Sequence, residues 1–182
     1  MSAMGKLTTI GKHLWLDEAD TARAVPPALL KRLAQRVAAS EQRHTGEIRI
    51  CVEAGLPWSY LSRLGRDCTI RELIRRRAVS LFGKLQVWDT ADNNGVLVYV
   101  LLAEHAIEIV ADRGIASHVS QAYWQAVVKR MAQAFKSGRY EDGLTEALEE
   151  TSAVLMQHFA IGRDAAPGKP DPNQLPDKPV LL

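Results

Sequence analysis

An unbroken apolar run, followed by a short turn and an alternating segment, predicts a β-hairpin in the middle of this chain. Residues 96–102 are all apolar, which is typical of a strand buried on both faces. Ile107 and Ile109 flank Glu108, and this alternation predicts a second, half-buried strand. Because only three residues separate the two segments, they should pair antiparallel as a hairpin.

The predicted hairpin would bring two polar loops to one edge of the sheet, since the first strand starts beside the end of the second. Residues 89–95 read DTADNNG and residues 112–114 read DRG. Their carboxylate and amide oxygens are ligands that divalent cations accept. We take this edge as the main candidate site, with these candidate residues: Asp89, Thr90, Asp92, Asn93, Asn94, Gly95, Asp112 and Arg113. Asn-Gly and Asp-x-Gly are also ordinary loop sequences, so a purely structural role stays open.

Helical and strand patterns alternate along the rest of the chain. A first strand is predicted at 47–53, and helices are predicted at 26–43, 70–85, 119–135 and 144–159. A strand–helix–strand crossover makes the first two strands parallel. The predicted fold class is therefore α/β: a small mixed sheet, made by this crossover and the β-hairpin, layered with helices as an α/β/α sandwich.

The chain divides by composition into three parts. Residues 1–25 are polar with few apolar anchors and are predicted to form an extended lead-in. Residues 26–162 carry the helical and strand patterns of the domain. Residues 163–182 are rich in proline and polar groups, which predicts a disordered tail.

Bulk properties fit one soluble domain. The chain has 182 residues, of which 47% are hydrophobic and 24% are charged. Cys51 and Cys68 lack the spacing of a zinc site, so we interpret them as buried or idle thiols. The longest apolar run, at 96–103, is too short to span a bilayer. Residues 1–25 contain no continuous apolar segment of a signal peptide, so the predicted location is the cytoplasm.

Positive charge is concentrated on one predicted helix, at Arg71, Arg75, Arg76 and Arg77. The favoured interpretation is a solvated face, with nucleic acid or anionic lipid as alternatives. Because interleaved aromatic residues and a nucleic-acid-binding signature are both absent from the sequence, no nucleic-acid partner is expected.

Three further residues are candidates for a site or contact: Trp58, His44 and His105. Trp58 lies in a predicted loop beside Ser59 and Tyr60, where it could form a contact patch for a protein partner. His44 and His105 are interpreted as surface or capping groups rather than metal ligands.

Several motifs resemble those of the TPM domain family, over about residues 26–159, and point to its short soluble bacterial branch. They are HTGEIR at 44–49, WDT at 88–90, NNGVL at 93–97, EIVADRGI at 108–115 and the later Trp124. The resemblance implies divalent-cation binding, mainly of calcium, a phosphatase activity attributed to some members, and roles in assembling or repairing membrane complexes. This chain has DRG where membrane-linked relatives tend to have a glycine-rich turn followed by an acidic residue.

The favoured function is a non-catalytic binding or assembly-accessory domain that depends on calcium or another divalent cation. Its metal ligands would be Asp89, Asp92, Asn94 and Asp112. The partner would be an unidentified protein, such as a component of a membrane-associated complex, and no organic cofactor is expected.

The alternative is a weak metal-dependent acid phosphatase. In that case Asp89 or Asp112 would hold a metal that activates water, and Arg113 would clamp the phosphate oxygens. A third interpretation is a structural module whose polar loops only terminate strands.

Overall fold

The computed structural model describes residues 3–65, 68–161 and 173–182. The helices are α1 (Ala3–Trp15), α2 (Glu18–Ala24), α3 (Pro27–Glu41), α4 (Trp58–Leu61), α5 (Ile70–Lys84), α6 (Arg113–Ala116), α7 (Gln121–Lys136) and α8 (Tyr140–His158). The strands are β1 (Ile48–Glu53), β2 (Val96–Leu101), β3 (Ala106–Ala111) and β4 (Val180–Leu181). A single 3₁₀ turn, Leu102–Glu104, joins β2 to β3.

The four strands form one mixed sheet in the order β3-β2-β1-β4. β1 runs parallel to β2, with Ile48 opposite Val96. β2 and β3 pair antiparallel, with Val96 opposite Ala111. The predicted crossover and hairpin are therefore confirmed.

Helices cover both faces of the sheet. Ile50 and Val98 point into a core formed with α3, α7 and α8, while Tyr99 points to the opposite face, into a core formed with α5. This arrangement confirms the predicted α/β/α sandwich. Cys51 and Cys68 are both free and buried, and burial raises the pKa of the Cys51 thiol to about 12.

Residues 3–15 and 18–24 form helices, so the predicted extended lead-in is wrong for the described part of this segment. A capping box starts α2: the Asp17 carboxylate accepts the Ala19 N–H at 2.8 Å, and the Asp20 carboxylate accepts the Asp17 N–H at 2.9 Å. These two bonds satisfy donors that an isolated helix end would leave open. In the described part of the chain, no helix is long and apolar enough to cross a membrane.

The end of the chain belongs to the sheet, so the predicted disordered tail is wrong for residues 173–182. β4 pairs parallel with β1, and the Leu182 N–H donates to the Val52 carbonyl at 2.9 Å. Arg49 donates to the Lys178 carbonyl at 2.9 Å. Side-chain contacts from β1 thus offset the cost of ordering a proline-rich segment. The rest of the predicted tail, 163–172, lies outside the described residues.

The arginines of α5 do not form one solvated face. Arg71 and Arg76 are exposed, as predicted, and Arg75 is half-buried and donates to the Ile109 carbonyl at 2.8 Å. Arg77 is buried against the Glu53 carboxylate, at 2.5 Å from Nη2 to Oε1. The solvated-face interpretation is therefore wrong for Arg77, because a carboxylate on β1 compensates its charge inside the fold.

Candidate functional site

The two predicted loops meet at the edge of the sheet where β2 begins and β3 ends. The Asp112 N–H donates to the Gly95 carbonyl, and the Gly114 N–H donates to the Asn93 carbonyl, both at 2.9 Å. We call residues 89–95 and 112–114 together the loop junction. The predicted convergence is confirmed for residues 92–95 and 112–114, whose backbone and side-chain contacts join the two loops. The ligand roles of these residues, and any part taken by Asp89, stay predictions.

Two glycines allow the loops to approach this closely. A Cβ on Gly95 would lie 1.9 Å from the Val87 carbonyl oxygen. A Cβ on Gly114 would lie 2.6 Å from the carbonyl oxygens of Asp92 and Asn93. Both obstacles are backbone atoms, so a rotamer change could not relieve either contact.

Hydrogen bonds fix the first loop from inside. The Asn94 N–H donates to Thr90 Oγ1 at 3.0 Å, and Asn94 Nδ2 donates to Thr45 Oγ1 at 3.0 Å. Thr45 Oγ1 in turn donates to Asp92 Oδ2 at 2.9 Å. Thr45 was missed as a member of the site. The sequence could have indicated Thr45, because it lies just before β1 and parallel strands begin at the same edge of a sheet.

Arg113 is held by the opposite loop. Its Nε and Nη2 donate to Asn93 Oδ1 at 2.9 and 2.5 Å. Asn93 has a φ of 53°, a left-handed conformation that asparagine tolerates better than most residues. The guanidinium predicted as a phosphate clamp therefore already has an acceptor within the loop junction.

Two buried acceptors in the loop junction have no hydrogen-bond partner among the described residues. They are Asn94 Oδ1, on a residue with no exposed surface, and Asp112 Oδ2. The other Asp112 oxygen, Oδ1, accepts the Arg113 N–H at 2.7 Å. A buried acceptor without a donor costs about 1–3 kcal/mol, so these two oxygens favour a bound cation or water at this edge.

The remaining predicted ligands are less enclosed. The Asp89 and Asp92 side chains are exposed. No group of three or more His, Cys, Asp or Glu side chains in the described ranges could hold a metal ion. Any cation here would therefore need amide and carbonyl oxygens, and water, in addition to the carboxylates. This donor set suits Ca²⁺ because it accepts six to eight oxygens in flexible geometry.

Trp58 does not belong to the loop junction. It starts α4, which follows the carboxyl end of β1, whereas the loop junction lies at the amino ends of β1 and β2. The length of the six-residue strand β1, about 3.3 Å per residue, separates the two places. Any contact role of Trp58 is therefore independent of the loops.

Gln174 and Leu175 lie beside the loop junction. The composition of this segment did not predict that contact. Gln174 Oε1 accepts the Ala91 N–H at 2.8 Å. The buried Glu47 carboxylate accepts the N–H groups of Gln174 and Leu175 at 3.0 and 3.2 Å. The apolar Val-Leu-Leu sequence at 180–182 could have predicted this contact, because such a sequence can form an additional strand even after a proline-rich segment.

His44 lies beside the loop junction and is buried, so the surface interpretation is wrong for it. Its Nδ1 lies 2.9 Å from the Gly46 carbonyl oxygen, which requires that Nδ1 carries the proton. Nε2 is then the acceptor for Ser40 Oγ at 2.8 Å. Burial lowers the pKa of His44 to about 4, so its ring is neutral at pH 7. His105, by contrast, is exposed in the hairpin turn, as expected.

Acidification from pH 7 to pH 4 is expected to lower the free energy of unfolding by about 2–3 kcal/mol through His44 alone. The folded-state pKa of about 4 lies below the ordinary value of 6.5. Between these values the unfolded chain binds a proton that the folded chain excludes. The contribution of His44 is thus complete above pH 6.5 and is lost as the pH falls. Urea unfolding at several pH values measures it.

The variant His44→Gln should have a shallower dependence of stability on pH between 6.5 and 4, because it removes this titration. The matched control is His118→Gln, which replaces an exposed histidine. Equal slopes for His44→Gln and the wild-type chain would contradict the assignment.

A mixed four-stranded sheet between helical layers, with a polar loop junction at one edge, defines the class as an α/β sandwich domain. The family model of the TPM domain matches residues 19–154. The chain therefore belongs to the TPM domain family.

Two solved structures are similar in fold. The NMR structure of BA42 protein from Bizionia argentinensis has a TM-score of 0.66 at 24% identity, covering 88% of this chain and 94% of that chain. The solution NMR structure of the N-terminal domain of a P. gingivalis protein has a TM-score of 0.53 at 15% identity, covering 81% of this chain and 94% of that chain. A search of curated protein sequences finds no match. At these identities the likeness shows the fold alone.

Proposed function

We propose that this TPM domain is a cytoplasmic, non-catalytic binding domain whose loop junction binds a divalent cation, with calcium as the first candidate. The cation would compensate the unpartnered oxygens between the two loops, and the loops would then contact a protein partner. The family resemblance suggests a component of a membrane-associated complex as that partner.

The two unpartnered acceptors, Asn94 Oδ1 and Asp112 Oδ2, carry this proposal. They are the chemical type that Ca²⁺ prefers, and a cation would supply the compensation that no described donor supplies. The exposed Asp89 carboxylate lies on the same loop as Asn94 and adds negative charge.

The phosphatase alternative has less support from the contacts. A phosphatase needs a cationic group free to bind the transferred phosphoryl group. Arg113, the predicted clamp, donates instead to Asn93 Oδ1. Binding without turnover is therefore the function we favour for the loop junction.

Calorimetric titration of the chelator-treated chain with Ca²⁺, Mg²⁺ and Mn²⁺ tests the proposal. We expect saturable heat for Ca²⁺, and affinity at least about tenfold weaker in Asp112→Asn, because this change removes a negative charge from the site. An asparagine at position 112 keeps an oxygen that can accept the Arg113 N–H, so the local fold should be preserved.

The matched control is Asp142→Asn, which removes an exposed carboxylate on α8 that pairs with Arg139. No heat for any ion, or equal affinity in Asp112→Asn and the wild-type chain, would contradict the metal proposal. Hydrolysis of p-nitrophenyl phosphate that requires Asp112 would favour the phosphatase instead.

A further inference from the structure

A small cavity of about 260 Å³ lies between α3 and α8, and we call it the α3–α8 cavity. None of its described lining residues belongs to the loop junction. The polar residues that line it are Arg36, Ser40, Arg43, Thr145, Glu149 and Ser152. Two of these are cationic and one is acidic, so the described lining carries a net positive charge.

The contacts between α3 and α8 begin with a complete ion pair. Arg32 Nε and Nη2 donate to the two Glu141 carboxylate oxygens at 2.9 and 2.8 Å. About one turn further along both helices, Arg36 Nη1 donates to Thr145 Oγ1 at 2.7 Å. The second arginine therefore faces a neutral hydroxyl, which supplies no counter-charge.

Arg43, which follows α3, also faces a hydroxyl. Its Nη2 donates to Ser152 Oγ at 3.1 Å. Among the described residues, no carboxylate oxygen lies within 4.0 Å of a guanidinium nitrogen of Arg36 or Arg43. Each guanidinium group has five N–H donors, so both keep donors that can bind a ligand in the cavity.

Buried serines hold the Arg43 guanidinium in place. Ser152 is 3% exposed and Ser40 is 2% exposed, and their Oγ atoms lie 2.6 Å apart. Ser40 Oγ in turn lies 2.8 Å from Nε2 of the buried His44. The hydroxyl that accepts from Arg43 is thus fixed by the interior of the fold, which orients the guanidinium group toward the cavity wall.

Glu149 is the acidic residue of the cavity lining, and its side chain is exposed. Its carboxylate forms no ion pair with Arg36 or Arg43. A single negative charge also cannot balance two positive charges. The Thr145 hydroxyl adds a neutral donor on the α8 side, because it accepts from Arg36 and has no described acceptor for its own proton.

We infer that the α3–α8 cavity binds a tetrahedral oxoanion, with inorganic phosphate and sulfate as the simplest examples. Arg36 and Arg43 donate to its oxygens from the α3 side, and Thr145 donates from α8. Guanidinium groups suit this ligand because their N–H groups can contact two oxygens of one anion in parallel. The inference assigns a ligand and no reaction, and it does not depend on cation binding at the loop junction.

Titration of the full chain with sodium phosphate, followed by two-dimensional ¹H–¹⁵N NMR, tests the inference. The buffer contains no calcium, and sodium chloride keeps the ionic strength constant. We expect saturable shifts of the Arg36, Arg43 and Thr145 signals, with a Kd at or below about 1 mM. Sodium sulfate should shift the same signals, whereas sodium chloride alone should not.

Two variants should change the affinity in opposite directions. Arg36→Gln/Arg43→Gln should bind phosphate at least about tenfold more weakly, because it removes both charged donors. Glu149→Gln should bind about threefold more tightly, because it removes a like charge from the cavity lining. A general salt effect on stability would not produce this pair of changes.

The matched control is Arg76→Gln, which replaces an exposed arginine of α5 outside the cavity. It should bind phosphate like the wild-type chain, and circular dichroism checks the fold of each variant. Three outcomes would overturn the inference: no saturable shift in the wild-type chain, wild-type affinity in Arg36→Gln/Arg43→Gln, or equal weakening in Arg76→Gln.

Discussion

Replacement of Arg77 by methionine is expected to lower the free energy of unfolding by about 3–5 kcal/mol, because it leaves the Glu53 carboxylate buried without its counter-charge. Glu53 is 4% exposed and Arg77 is 8% exposed. Arg77 Nε donates to Glu53 Oε2 at 2.9 Å, and the Tyr99 hydroxyl donates to the same oxygen at 2.6 Å. Burial, followed by the Glu53 charge, raises the pKa of Tyr99, so its hydroxyl remains a donor at neutral pH. Methionine preserves much of the apolar volume.

The double variant Glu53→Gln/Arg77→Met separates charge from packing. Glutamine keeps an acceptor for the Tyr99 hydroxyl and removes the unpaired charge, so we expect the double variant to be more stable than Arg77→Met alone. Urea unfolding at pH 7 measures all three chains. Equal loss in the single and double variants would show that lost packing, rather than the unpaired carboxylate, causes the effect.

The change Gly95→Ala is expected to destabilise the chain by about 3 kcal/mol or more, since the added Cβ would overlap a backbone atom that cannot move independently. That Cβ would lie 1.9 Å from the Val87 carbonyl oxygen. Relief requires β2 and the preceding segment to separate, which would also shift the Gly95 carbonyl away from the Asp112 N–H. Urea unfolding measures the stability, and calorimetry with Ca²⁺ measures the site.

Gly83 provides the matched control, because it lies in α5 with no atom within 4 Å of an added Cβ. Gly83→Ala is expected to stabilise the chain by about 0.5–1 kcal/mol through higher helix propensity. Equal stability of Gly95→Ala and Gly83→Ala would contradict the close approach of Gly95 to the Val87 carbonyl.

The hairpin and its loops could be predicted because their determinants are local. The apolar run at 96–102 and the alternation around Glu108 define two strands whose separation leaves one way to pair. Once β2 and β3 pair, the meeting of their loops follows from geometry. The bond between Arg113 and Asn93 did not follow, since it depends on side-chain orientation rather than on spacing.

The two ends of the chain could not be predicted, because their structure depends on distant partners. Helix α1 has apolar residues on both its core and its solvent sides, so its pattern shows no clean amphipathic stripe. The segment 173–182 is rich in proline, and its order depends on Glu47 and Arg49 of another part of the chain.

The burial of His44 and Arg77 could not be predicted from the sequence either. His44 and Arg77 belong to residue types that are usually exposed, and each is buried with a specific acceptor or donor. Gly46 and Ser40 are near His44 in the chain, but Glu53 is far from Arg77. No spacing rule pairs a residue on β1 with a residue on α5, so this ion pair could be identified only once the fold was known.

The order of strands in the sheet has a consequence for synthesis of the protein. β4 is made after the other described strands and helices, yet it pairs with β1, the first of the described strands. Until β4 emerges from the ribosome, β1 presents an open edge to other nascent chains. Over that interval the Ala91 N–H also lacks its acceptor on Gln174. Translation of residues 173–182 thus ends the period in which Cys51 and Val52 on the edge of β1 are open to pairing with another chain.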